Sequence, residues 1–185
     1  MLPPQTNVDV KRQAHGVLQA FRFQLMQSTL AWIGLAPGQV LLAEHVEDFD
    51  VMSDTRVSAT QAKFSGQTKS VTLASIDAGK ALNRFWEQNA DADHVSLVYQ
   101  TNLNAGVERG FEFPEGSSGI AYWEAVRRGA PVGPLREGLI ELLPDGALKS
   151  WLTNETSESV IREKLVRRVI WSVGLPSGPA LSAML

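Results

Sequence analysis

Residues 44–64 read Glu44-His45-Val46-Glu47-Asp48-Phe49-Asp50-Val51-Met52-Ser53-Asp54-Thr55-Arg56-Val57-Ser58-Ala59-Thr60-Gln61-Ala62-Lys63-Phe64: an acidic run, a polar tetrad, then an extended run. Taking Ser53 to Arg56 as a hairpin loop sets Met52 opposite Val57, Asp50 opposite Ala59 and Asp48 opposite Gln61. Strand side chains alternate with period two, so in this register Asp48, Asp50, Gln61 and Lys63 fall on one sheet face. Strands disfavour aspartate, and two in one short strand ask for a reason.

That face suits a hard divalent cation, which takes oxygen ligands. Asp48 or Asp50 could hold Mg²⁺ or Mn²⁺, with the Gln61 carbonyl as a second ligand and Glu44 or Glu47 completing the shell. Lys63 would orient a metal-activated water or offset negative charge developing on a phosphate. In the plainer reading, the acids are a charged edge strand that resists aggregation. Lys63 is then their cross-strand ion-pair partner, worth ~1 kcal/mol or less.

Working outward, apolar residues at Val17, Leu18, Phe21, Leu25, Ala31 and Trp32 give a helical period over residues 13–34, with Phe21 and Phe23 expected in the core. Ala36-Pro37-Gly38 makes a turn, and residues 39–43 form a short apolar strand that opens a β-meander. Residues 73–88 suggest a crossover helix, with Gly79 a blemish in it, and residues 94–101 a buried strand. After a glycine-rich loop at 106–119, short helices are expected at 120–128 and 134–143. The spacing of Val160, Ile161, Leu165, Val169 and Ile170 predicts helix over 155–173. The expected fold is α/β: a mixed sheet flanked by helices, with a helical C-terminal third.

Composition narrows the chemistry. The 185 residues include no cysteine, which excludes disulfides and thiolate zinc sites, and the three histidines His15, His45 and His94 show no metal-ligand spacing. No apolar run reaches the ~18 to 20 residues of a membrane span, and the N-terminus lacks the pattern of a signal peptide, so a cytoplasmic protein without a membrane role is expected. Seventeen basic against twenty acidic residues leave a net charge of −3, so any contact with nucleic acid must rest on local patches. One candidate patch is Arg162, Lys164, Arg167 and Arg168 near Trp171, which also reads as a solvated helix face.

The pattern Asp48 or Asp50 followed by Gln61-Ala62-Lys63 resembles the PD-(D/E)XK restriction-endonuclease-like superfamily, in the variant with glutamine in place of the acid before X-Lys. Phe21-Arg22-Phe23-Gln24 ahead of Glu47-Asp48-Phe49-Asp50 further resembles the N-terminal double-stranded DNA nuclease domain of bacterial anti-phage effectors of the cyclic-oligonucleotide (CBASS) kind, over residues 13–102. The resemblance implies a restriction-endonuclease-like fold, a Mg²⁺- or Mn²⁺-dependent endonuclease acting on double-stranded DNA, and a supporting role for Gln24. It also implies a homo-oligomer when active and a C-terminal sensor or ATPase module outside this chain. The alternative is a catalytically inactive nuclease-fold domain that binds nucleic acid or a protein partner. On this reading residues 1–174 are one nuclease-like domain, with a core at 13–102 and a helical extension at 120–173, and residues 175–185 are a linker or the start of a further domain.

Overall fold

The computed structural model describes residues 7–43, 47–67 and 69–177, with side chains from Ala14 onward. Helix α1 spans Asn7–Ile33 and leads into a meander of strands β1 (Val40–Ala43), β2 (Phe49–Met52) and β3 (Val57–Lys63). Helix α2 (Ile76–Asn89) crosses over to strand β4 (Val95–Thr101). Helices α3 (Gly119–Arg127), α4 (Gly133–Leu142), α5 (Ala147–Asn154) and α6 (Glu158–Lys164) precede the last strand, β5 (Val169–Ser172). The sheet order β1-β2-β3-β4-β5 is antiparallel through β3 and parallel from β3 to β5. The mixed α/β sheet expected from the sequence is therefore present.

The hairpin register matches the one read from the polar tetrad: Met52 pairs with Val57 and Asp50 with Ala59. On β4, alternate burial of Val95, Leu97, Tyr99 and Thr101 marks the face turned to the larger core. That core joins Ala59, Leu97, Tyr99 and Val169 to Leu82 and Phe85 of α2 and to Trp123, Leu139, Leu148 and Ile161 of the later helices. Gly79 fits because α2 lies close to the chain after α4, where a Cβ would stand 3.2 Å from Pro144 Cδ. The Ser118 hydroxyl caps α3 by accepting from Ala121 N at 3.1 Å, and Pro134 sits in the first turn of α4.

Helix α1 covers the opposite sheet face, the one carrying Phe49, Thr60 and Ala62. Phe23 is buried as expected, but Phe21 and the apolar residues that set the helical period are not. Val17, Leu18, Phe21, Leu25 and Trp32 are 54–68% exposed, whereas Phe23, Met26 and Gln27 are buried. The helix carries two apolar stripes, and the one containing Phe23, whose ring centroid lies 5.9 Å from that of Phe64, meets the sheet.

A second correction concerns residues 155–173. Helix α6 ends at Lys164, a 3-10 turn follows at Val166–Arg168, and Val169-Ile170-Trp171-Ser172 pairs with β4. The β-branched and aromatic residues there find an open parallel edge, and sheet pairing overrides the helical spacing. Beyond β5, Gly174 N donates to Leu103 O and Leu175 N to Thr101 O, so the expected linker begins bonded to the end of β4. Residues 178–185 lie outside the described residues.

Candidate active site

Two adjacent strands and the crossover helix build the site. Register places Asp50, Gln61 and Lys63 on the sheet face that α2 covers. The ladder from β2 to β3 starts at Phe49 and Thr60, which leaves Asp48 one residue outside it. Asp48 compensates with its side chain: Oδ2 accepts from the backbone N–H of Ala62 at 2.7 Å, extending the ladder where the chain departs from it. One carboxylate oxygen is thereby fixed by the backbone. Asp50 is fully buried opposite Ala59. Glu44 and His45 lie outside the described residues.

Glu47, out of phase with the aspartates in the sequence pattern, nevertheless turns inward. Its side chain is 3% exposed, with Oε1 3.6 Å from Arg84 Nε of α2. Burial pushes the Glu47 carboxyl above its ordinary value, eased by Arg84 and Lys63 and reinforced by Asp48 and Asp50. The three acids and two cations thus form one electrostatic group. Lys63 lies near enough to Glu47 to favour its charged form.

Gln61 and Lys63 open onto a cleft of about 620 Å³, walled by Asp77, Lys80, Asn83, Arg84 and Glu87 of α2 and by Pro144 and Asp145. Gln61 Oε1 is buried there with no hydrogen-bond partner among the described residues, and Asn83 Oδ1 shares that condition. A buried amide oxygen without a donor carries a desolvation penalty of ~1–3 kcal/mol unless a cation or donor reaches it. The sequence reading missed the α2 contributors. Asp77, Lys80, Arg84 and Glu87 recur at three- and four-residue spacing opposite Ala78, Leu82 and Phe85, and that polar stripe is the signal that could have found them.

Other expected site residues are dispersed. Gln24 is half-buried on α1, across the sheet from Lys63. The basic group near the C-terminus does not form one free face. Arg162 donates to the Val126 and Ala130 carbonyls at the end of α3. Arg167 pairs with Glu163 at 2.6 Å. Arg168 is 5% exposed and donates to carbonyls of Asn89, Ala90, Ala92, Val95 and Lys164. Lys164 borders a separate hollow of about 400 Å³ with Asp93, Ser159 and Glu163. His15 and His94 are exposed.

Among the described residues no three histidine, aspartate or glutamate side chains converge as a metal cage. Among the described residues, a cation at this site would combine carboxylate with amide oxygen. No family model, curated protein or solved structure matches the chain.

Proposed function

We propose that this chain is a Mg²⁺- or Mn²⁺-dependent endonuclease domain of restriction-endonuclease-like fold that hydrolyses phosphodiester bonds in double-stranded DNA, in the setting of bacterial anti-phage defence. One observation carries the reading: Gln61 Oε1, buried and without a donor among the described residues, belongs to a residue that lines the α2 cleft with Lys63, on the face that also holds Asp50. The order of helix, antiparallel meander, crossover helix and parallel strand supports the fold assignment.

The donor set fits a hard cation. Asp50, the Asp48 oxygen not fixed by Ala62 N–H, and Gln61 Oε1 would hold it, with Glu47 beside them. When bound, the metal supplies a more acidic water and draws charge from the scissile phosphate. The remaining work falls to the protein. The Lys63 ammonium orients the attacking water toward phosphorus and offsets charge on the phosphate oxygens. Hydrolysis forms the water O–P bond, breaks one P–O ester bond and passes a proton to the departing oxygen. Lys80 lines the cleft and would contact a phosphate flanking the scissile one.

A second reading, an inactive nuclease-fold domain that binds nucleic acid or a protein, draws on Asp48 and Glu47 already having protein partners in Ala62 N–H and Arg84. Plasmid cleavage separates the two. Linear and supercoiled DNA are incubated with Mg²⁺, Mn²⁺ or EDTA, using wild type, Lys63→Ala, Asp50→Asn and Asp48→Ala. We expect metal-dependent cutting that falls by ~10²-fold or more in Lys63→Ala and Asp50→Asn, with unchanged circular dichroism. Binding without cutting would favour the second reading, and undiminished cutting by Lys63→Ala would refute the first.

A further inference from the structure

The outward stripe of α1 has a specific period. Ala14, Leu18, Phe21, Leu25, Ser28 and Trp32 follow one another at intervals of four, three, four, three and four. That 3.5-residue repeat is the seam of a coiled coil, narrower than the 3.6-residue stripe by which a helix faces its own core. The helix meets its own core through Phe23, Met26 and Gln27, on its other side. Leu18, Phe21, Leu25 and Trp32 are 65%, 59%, 54% and 64% exposed, and Val17 beside them is 68% exposed.

We infer that this seam is a homodimer interface in which α1 packs antiparallel against α1 of a second copy, about a two-fold axis passing beside residue 23. Three features favour a second copy. The first is self-complementarity. In that arrangement Ala14 meets Trp32, Leu18 meets Ser28 and Phe21 meets Leu25, so every layer sets a larger side chain against a smaller or comparable one. Parallel pairing would instead stack Trp32 on Trp32 and Ala14 on Ala14, overfilling one layer and leaving another empty.

The second feature is area. The five exposed apolar residues offer ~600 Å² per copy at ~100–150 Å² each, before flanking residues are counted, near the ~800 Å² per partner of a standard interface. The third is polar satisfaction. Ser28 Oγ donates to Leu25 O at 2.9 Å and Thr29 Oγ1 to the same carbonyl at 2.7 Å, so a second helix can cover these hydroxyls without orphaning them. The inference is independent of the nuclease reading. Because α1 lies across the sheet from Asp50 and Lys63, the pairing leaves both clefts uncovered on opposite sides of the dimer.

Sedimentation equilibrium of the full chain from micromolar to ~100 µM tests the association. We expect a species of twice the 20.2 kDa chain mass, converted to monomer in Phe21→Glu/Leu25→Glu with circular dichroism unchanged. The absence of cysteine makes orientation testable as well. Leu18→Cys mixed with Ser28→Cys should form an oxidised cross-link. Each variant alone should not, because its own copy lies ten residues away along the helix, ~15 Å. A wild type that stays monomeric, a charge variant that stays dimeric, or Leu18→Cys that cross-links by itself would each overturn the proposal.

Discussion

Replacing Arg168 with alanine asks how much of the fold hangs on one guanidinium. Arg168 reaches from the turn before β5 to carbonyls at the end of α2, at the start of β4 and on α6, and its guanidinium lies 5.0 Å from the centroid of the Phe85 ring. Taken singly, hydrogen bonds from a charged donor contribute ~1.5–3 kcal/mol each. Their simple sum overshoots, because burying the guanidinium itself costs several kcal/mol and the outer carbonyls can turn to water. We expect a net loss of ~3–5 kcal/mol, a large share of the ~5–15 kcal/mol that holds a domain together. At ~2–4 °C per kcal/mol for a chain of this length, Tm should fall by ~6–20 °C. Arg168→Lys should recover less than half, since an ammonium cannot span carbonyls arranged around a planar fork. Denaturant unfolding of both variants, with Arg167→Ala as the exposed control, gives the comparison. An Arg168→Ala variant within ~0.5 kcal/mol of wild type would refute the reasoning.

Folding strengthens the hold of Glu47 on its proton, so its contribution to stability is full below the ordinary value of 4.5 and is lost as pH rises through the raised one. Glu47→Gln should therefore gain on wild type in denaturant midpoint as pH rises above 4.5, and a difference that stays constant would contradict this. Gly138→Ala should cost ~1–3 kcal/mol, because its Cβ would come within 2.5 Å of Phe113 Cζ in the core. The same substitution at Gly16 on α1, where nothing lies within 4 Å, should instead stabilise by ~0.5–1 kcal/mol.

What the sequence revealed follows from how local each signal is. The hairpin register was legible because four polar residues bound the loop and period two does the rest, so spacing alone puts Asp50 and Lys63 on one face. That Phe23 and not Phe21 marks the inward stripe of α1 was not legible, since both were expected in the core. Both are apolar, and the choice depends on Phe49, Ala62 and Phe64, at least sixteen positions beyond the end of the helix. Strand β5 was hidden for a similar reason, since Val169 and Ile170 continue the spacing of α6 and become strand only because β4 offers an edge. Arg168 looked like part of a surface charge group. Its carbonyl partners on α2 and at the start of β4 lie 73 to 79 positions earlier in the chain, beyond any local pattern. The acids and cations of α2 were the avoidable omission, because their spacing is local.

The coincidence of strand order with chain order bears on how the protein is made. A ribosome delivers the meander first, then β4, and β5 only after helices α3 to α6 have emerged. Each new strand can dock on the edge left by its predecessor, so none has to insert between two already paired. The exposed parallel edge of β4 must wait through the synthesis of 67 residues before β5 covers it. That interval is when a nascent chain is most open to pairing with its neighbours on the same message, and slowing translation over residues 102–168 should raise the yield lost to aggregation.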